Sequence, residues 1–277
     1  MLDWSRCEDL PLAPARRETF NRSPDFPMTR WFVTACAALA LNASAVEVEV
    51  LSAGAAQHAF HAAAEQWQHA SGNTVNASFG PVGELRKRLE GKAAPDLVIV
   101  PSEAIEALAA SGKLDLSTRR DLGVVSIGAA VREGTPKPDI STPEALKRTL
   151  LEAKSVTYMD PSRGTSGKFF DESVLPALGI RDPVRAKATL GQGGFIAEKV
   201  ASGEVDIAFH QITELLPVKG VTLVGPLPDP LQKRTTYAAL LAKSPKHPGE
   251  ARSLLDFLVS PGGRRTFIEH GFAAPKE

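Results

Sequence analysis

The chain has 277 residues, 43% of them hydrophobic, and its 32 basic and 32 acidic side chains cancel. Without a basic excess there is no charge to release phosphate counterions, which argues against a nucleic-acid partner. The two cysteines, Cys7 and Cys36, precede the export-cleavage point argued below. The mature chain therefore has neither a disulfide nor a thiolate metal site, and stability must come from a core large enough for two modest domains or one large one.

Residues 1–27 scatter charges among prolines with no apolar period and are expected to be a non-native or disordered extension. Met28-Thr29-Arg30 leads into the apolar run Trp31 to Leu41, and Ala43-Ser44-Ala45 supplies small residues for a signal peptidase. This reads as a signal peptide over 28–45, with Met28 the true start and Val46 the first mature residue. Val33-Thr34-Ala35-Cys36 resembles a lipoprotein box, but the apolar run continues past Cys36, so cleavage after Ala45 is preferred. No later apolar run is long enough to span a bilayer. The expected location is the periplasm.

Val46 to Leu51 alternates Val and Glu as a first strand, and the small residues Ser52 to Ala56 turn it into a helix reaching about His69. Phe60, Ala63, Ala64 and Trp67 share the core face of that helix. His58, His61, Glu65 and His69 share the other, at a spacing suited to zinc or nickel and equally to a solvated polar face. Thr74 to Phe79, Asp96 to Val100 and Gly123 to Val131 read as strands. Gly80-Pro81-Val82-Gly83 leads into a helix over 84–89, and Pro101-Ser102 into a helix over 103–111. The Pro-rich passage Gly134 to Thr142 precedes a helix with Pro143 at its first position. Strand-helix alternation predicts an α/β fold with ligands at the carboxyl ends of the strands.

Ser155 to Phe170 carries the strongest local signal. A short strand to Met159 is broken by Asp160-Pro161, and a Ser/Thr/Gly loop opens a helix from Lys168 to Leu178. Free N–H groups at a helix start attract anions, and Ser162, Thr165 and Ser166 add hydroxyls. A Walker motif is excluded, because Ser162 stands at its first Gly and Phe169 at its Ser or Thr. A nucleophile elbow is excluded because Lys168 replaces its closing Gly. Gln192-Gly193-Gly194-Phe195 opens a further expected helix to Ser202, Val205 to Gln211 is a strand, and Val221 to Val224 and Thr235 to Leu241 follow. Two closing helices are expected over 247–259 and 261–270. One strand leaving the first lobe near Val125 and another returning near Tyr237 give two hinge crossings. That describes a clamshell.

With these pieces in order, the chain resembles the periplasmic solute-binding proteins of ABC importers, and is similar to the molybdate-binding family among them. The resemblance is carried by Ser52 to Phe60, Ala77-Ser78-Phe79-Gly80, Ala94-Pro95-Asp96-Leu97, Gly112-Lys113-Leu114, Asp160-Pro161, and Leu255-Asp256-Phe257-Leu258 to Gly271-Phe272. It implies a type II periplasmic-binding-protein fold of two lobes, each a mostly parallel sheet flanked by helices. Lobe I is expected over 46–125 and 238–277, and lobe II over 126–237. It also implies a monomer that passes a small anion to a permease in the inner membrane, with no cofactor, no metal and no catalysis.

The same resemblance implies where a ligand sits. The family has a Ser where Ala55 stands, beside Ser52 and Gly54, and a second Ser where Pro81 and Val82 follow Gly80. It uses backbone N–H groups at positions matching Ser166 and Gly193, and a Tyr where Gln211 stands. A molybdate-type oxyanion is the cargo the resemblance favours. The missing hydroxyls make a small organic carboxylate the alternative, with Ser52, Ser102, Tyr158, Arg163, Thr165, Ser166 and Gln211 as ligands and Arg163 offering a bidentate fork. Two further readings are an exported hydrolase using His210 or a Ser nucleophile, and a sensory scaffold that keeps the clamshell. Alternation along the strand places His210 behind Gln211, away from the cleft.

Overall fold

The computed structural model describes residues 45–275. The expected N-terminal extension and all but the last residue of the expected signal peptide lie outside that range. Among the described residues no helix is long and apolar enough to cross a membrane. The strands are β1 (Glu47–Ala53), β2 (Thr74–Gly80), β3 (Leu97–Pro101), β4 (Leu114–Arg132), β5 (Val156–Met159), β6 (Ala188–Gly191), β7 (Ile207–Gln211), β8 (Val221–Pro226) and β9 (Arg234–Ala242). Their order is β2-β1-β3-β9-β4-β7-β5-β6, with β8 also paired to β4.

The fold is an α/β clamshell of two lobes. In the first, β1 runs parallel to β2 and β3, and β9 and the start of β4 close the sheet antiparallel. In the second, β5 runs parallel to β6 and β7, while the end of β4 pairs antiparallel with β7 and β8. Strands linked by helical crossovers are therefore parallel, and the strands that pass between lobes supply the antiparallel edges. Each lobe has its own core. Val48, Phe60, Trp67, Ile99, Leu240, Leu254 and Phe267 belong to one, with the predicted face of the helix Gln57–Ser71 buried in it. Tyr158, Phe170, Phe209 and Leu146 belong to the other, and a smaller cluster around Val200 and Ala208 covers its second face.

β4 is the strand that joins the lobes. It starts at Leu114, well before the Gly123 expected from its apolar run, because pairing with β9 draws in the polar stretch Asp115 to Arg120. Register shifts between Asp115 and Arg120 and between Asp121 and Gly123 interrupt the alternation that sequence reading depends on. There Thr118 Oγ1 accepts the Leu241 N–H at 2.9 Å. At the crossing, the Gln232 side-chain amide accepts from the Ile127 N–H and donates to the Ile127 carbonyl, each at 2.9 Å, so a side chain stands in for a peptide group where β9 begins.

Four further elements differ from expectation. The helix predicted from Gln192 to Ser202 shortens to Glu198–Ala201, because Gly193 and Gly194 take φ of 143° and 70°. The helix predicted from Lys168 begins at Thr165. Strand β6 and the helix Ile212–Leu215 carry no sequence period long enough to announce them.

The family-type segment around Asp96 has a structural role. Its buried carboxylate accepts the backbone N–H groups of Glu49, Lys246 and His247, tying β1 to the segment before the helix Pro248–Val259. The second lobe has a comparable anchor in Asp171, which is fully buried and accepts from Arg185 twice at 2.6 Å, from Arg181 at 2.7 Å and from the Tyr158 hydroxyl at 3.0 Å. Burial pushes the Asp171 carboxyl up, but the bonds from Arg185, Arg181 and Tyr158 outweigh it and hold the group below its ordinary value. Burial, followed by the Asp171 contact, pushes the Tyr158 hydroxyl up to about 12. Because the folded pKa of Asp171 is depressed, its contribution is complete above about pH 4 and lost as pH falls through the folded value. Asp171→Asn is expected to lower the unfolding free energy by about 2–4 kcal/mol at neutral pH, and by progressively less in acid, as urea denaturation at several pH values will show.

Candidate functional site

The carboxyl ends of β1, β2, β5 and β7 border one cleft of about 660 Å³, counted out to its open mouth. Ala53, Gly54, Ala55, Gly80, Pro81 and Val82 line it from the first lobe. Met159, Gly164, Thr165, Ser166, Gly193 and Gly194 line it from the second. His210, Gln211, Glu214 and Tyr237 also border it, and Phe79 and Phe195 add aromatic surface.

Helix starts meet in this cleft from both sides. A 3-10 turn at Gly54–Ala56 runs into the helix Gln57–Ser71, Pro81 caps Val82–Glu90, and Gly164 caps the helix at Thr165. The first N–H groups of a helix have no partner within it and sit at the positive end of its dipole. Among the described residues no Lys or Arg lines the cleft, so any attraction for an anion rests on peptide dipoles. The start at Thr165 can abut β5 only because residue 167 is Gly: a Cβ there would lie 1.9 Å from the Met159 carbonyl oxygen.

His210 and Gln211 end β7 with 2% and 5% exposure. Gln211 Oε1 accepts the Tyr237 hydroxyl at 2.8 Å, joining β7 to β9 across the hinge. Tyr237 is buried, and that burial pushes its hydroxyl well above the ordinary tyrosine value. His210 Nδ1 lies 2.9 Å from Glu214 Oε2 and 2.8 Å from the Gln211 N–H. An imidazole nitrogen that donates to the carboxylate cannot also accept the amide, so the two contacts belong to different tautomers. Among the described residues, buried Nε2 has no hydrogen-bond partner. Glu214 Oε1 sits 2.9 Å from where a Cβ on Gly54 would be, which brings the carboxylate against the first-lobe turn.

The residues named from sequence divide as follows. Gly54, Ala55, Gly80, Pro81, Val82, Thr165, Ser166, Gly193 and Gln211 line the cleft. Ser52, Ser102, Tyr158 and Arg163 do not. Ser52 is buried with its hydroxyl on the Ala53 carbonyl, the Ser102 hydroxyl accepts from Arg119, Tyr158 is held by Asp171, and Arg163 is exposed beside the Asp160 turn. The expectation that His210 packs behind the cleft is corrected: at the end of β7 both His210 and Gln211 are among the lining residues. Glu214 and Tyr237 were not foreseen. The spacing of His210 and Glu214 was the available signal, but it spans a strand end and a short helix and follows no single period. On the surface, the His58 ring packs edge-on against His270 at 5.0 Å and His61 packs on Phe79 at 4.9 Å. Among the described residues no group of three or more His, Cys, Asp or Glu is placed to hold a metal ion.

Residues 48–273 match the bacterial extracellular solute-binding proteins. Among characterised relatives, an aconitate isomerase of Pseudomonas sp is 33% identical over 227 residues, 80% of this chain and 86% of the relative. Among solved structures, the periplasmic molybdate-binding protein of Azotobacter vinelandii superposes with a TM-score of 0.71 at 17% identity, over 83% of this chain and all of the other. The sulfate-binding protein SubI of Mycobacterium tuberculosis gives 0.68 at 17% identity, over 82% and 86% of the two chains. At such identities the two structures speak to fold alone.

Gly167→Ala is expected to cost at least about 2 kcal/mol, because the new methyl meets backbone rather than a flexible side chain. Thermal and urea unfolding will measure it. An unfolding free energy equal to wild type would mean that the helix start at Thr165 is free to retreat from β5.

Proposed function

The chain belongs to the bacterial extracellular solute-binding proteins, and from that premise we propose that it takes a small polycarboxylate of the aconitate kind into the cleft and converts it between isomers. One observation carries the reading: a single cleft combines anion-seeking helix starts from both lobes with an ionisable imidazole–carboxylate couple. A site built only to hold an oxyanion needs donors, and a carboxylate in its wall works against that need. Here Glu214 is engaged by His210, which leaves the helix starts at Gly54, Val82 and Thr165 to face the ligand's own carboxylates. Ala55, Pro81 and Val82 provide no hydroxyls for a tetrahedral oxyanion. The relative named for isomerising aconitate supports the same ligand class.

A second reading is capture without chemistry, with delivery to a permease after export to the periplasm. The family's solute-binding character favours it. Both readings use closure of the two lobes on the ligand.

Two measurements on the purified protein separate them. Thermal unfolding with trans-aconitate, cis-aconitate, citrate, molybdate, tungstate, sulfate and phosphate should show a shift of several degrees for the aconitates, since a ligand at about 100 times its Kd adds about 2.7 kcal/mol to the folded state. Proton NMR of trans-aconitate with catalytic protein should show the cis isomer appearing. A shift without turnover leaves capture as the function, and a shift with molybdate and tungstate alone returns the site to the oxyanions.

A further inference from the structure

Resting on the isomerase reading, we propose that His210 is the catalytic base, with Nε2 moving the ligand's allylic proton, and that Glu214 is the positioning residue that holds the imidazole for it. His210 lines the cleft, is almost fully buried, and has one nitrogen engaged and the other without a partner. An unpaired buried nitrogen costs stability in the empty protein, and a site that uses it recovers that cost when a ligand arrives. Nδ1 faces both the Gln211 N–H at 2.8 Å and the Glu214 carboxylate at 2.9 Å; the proposal uses the tautomer that donates to Glu214, in which Nε2 carries a free lone pair.

The step balances without cofactor or redox partner. In an unsaturated polycarboxylate with a methylene beside the double bond, Nε2 takes a proton from that methylene, and the electrons of the broken C–H bond spread over the three-carbon allylic unit and its carboxylates. The imidazolium then returns the proton to the far carbon of the unit. The double bond has moved one position, so trans geometry becomes cis without rotation about a double bond. Negative charge that grows on the carboxylates during the step faces the helix starts at Gly54, Val82 and Thr165, which are already oriented for it. The other ionisable side chain bordering the cleft is Tyr237, whose proton is committed to Gln211 Oε1 at 2.8 Å.

The test measures aconitate binding by calorimetry, and kcat and KM by NMR, for wild type, His210→Gln, His210→Asn, Glu214→Gln and Glu214→Asp. The proposal expects both His210 variants to bind aconitate within about threefold of wild type while kcat falls by ~10²–10⁴-fold. Glu214→Gln should lower kcat about tenfold or more with KM unchanged, and Glu214→Asp should regain part of the loss. Turnover in the His210 variants within a few-fold of wild type would overturn the base. Should both His210 variants fail to fold, Glu214→Gln decides, because a kcat equal to wild type would show that nothing in the reaction needs the couple. Wild type that neither binds nor converts aconitate would instead overturn the functional reading itself, and the base with it.

Discussion

One strand belongs to both lobes, and the rest of the molecule depends on it. β4 gives its first part to β9 and its last part to β7 and β8, so two sheets with separate cores are held in one hydrogen-bonded ladder. Backbone groups at such a crossing cannot go unpaired without cost. Gln232 fills the gap with both ends of its amide on Ile127, and Tyr237 bonds Gln211 just beyond. The crossing therefore sets how the strand ends of one lobe face those of the other.

Facing strand ends explain why helix starts, and no Lys or Arg among the described residues, line the cleft. Parallel strands linked by helical crossovers put helix starts at the carboxyl edge of each sheet, and two such edges meet here. Glycines make the approach close enough: Gly167 lets a helix lie on the Met159 carbonyl, and Gly54 leaves room for Glu214 from the opposite lobe. The second contact joins the ionisable couple to the geometry of closure. A carboxylate packed against a first-lobe turn while bonded to a second-lobe histidine feels any change in the distance between lobes.

The buried charges elsewhere have different work. Asp96 and Asp171 are both inaccessible, yet every contact described for them is with backbone N–H groups or with side chains of the scaffold. They fix element positions, whereas His210 has a buried second nitrogen without a hydrogen-bond partner among the described residues. Asp96 also explains why its short segment carries a family resemblance without touching the ligand cleft.

Much of the scaffold was legible in the sequence, because apolar periodicity and turn chemistry act locally. The core face Phe60, Ala63, Ala64 and Trp67, the wholly apolar β3, and the glycine-rich turns at Gly54, Gly80 and Gly193 follow from residue order alone. So did the turns that line the cleft, since a strand-loop-helix unit presents its N–H groups wherever it occurs. The sequence did not reveal which side chains those turns gather. The polar start of β4 pairs only because β9 returns beside it, and Ser52 and Tyr158 turn out to be tied up inside their own lobe. Glu214, Tyr237 and His210 meet through contacts between elements distant in sequence or at a strand end, where no period applies. Local physics determined the fold class and the helix-start turns; the packing of one lobe against the other decided that an imidazole and a carboxylate share their cleft.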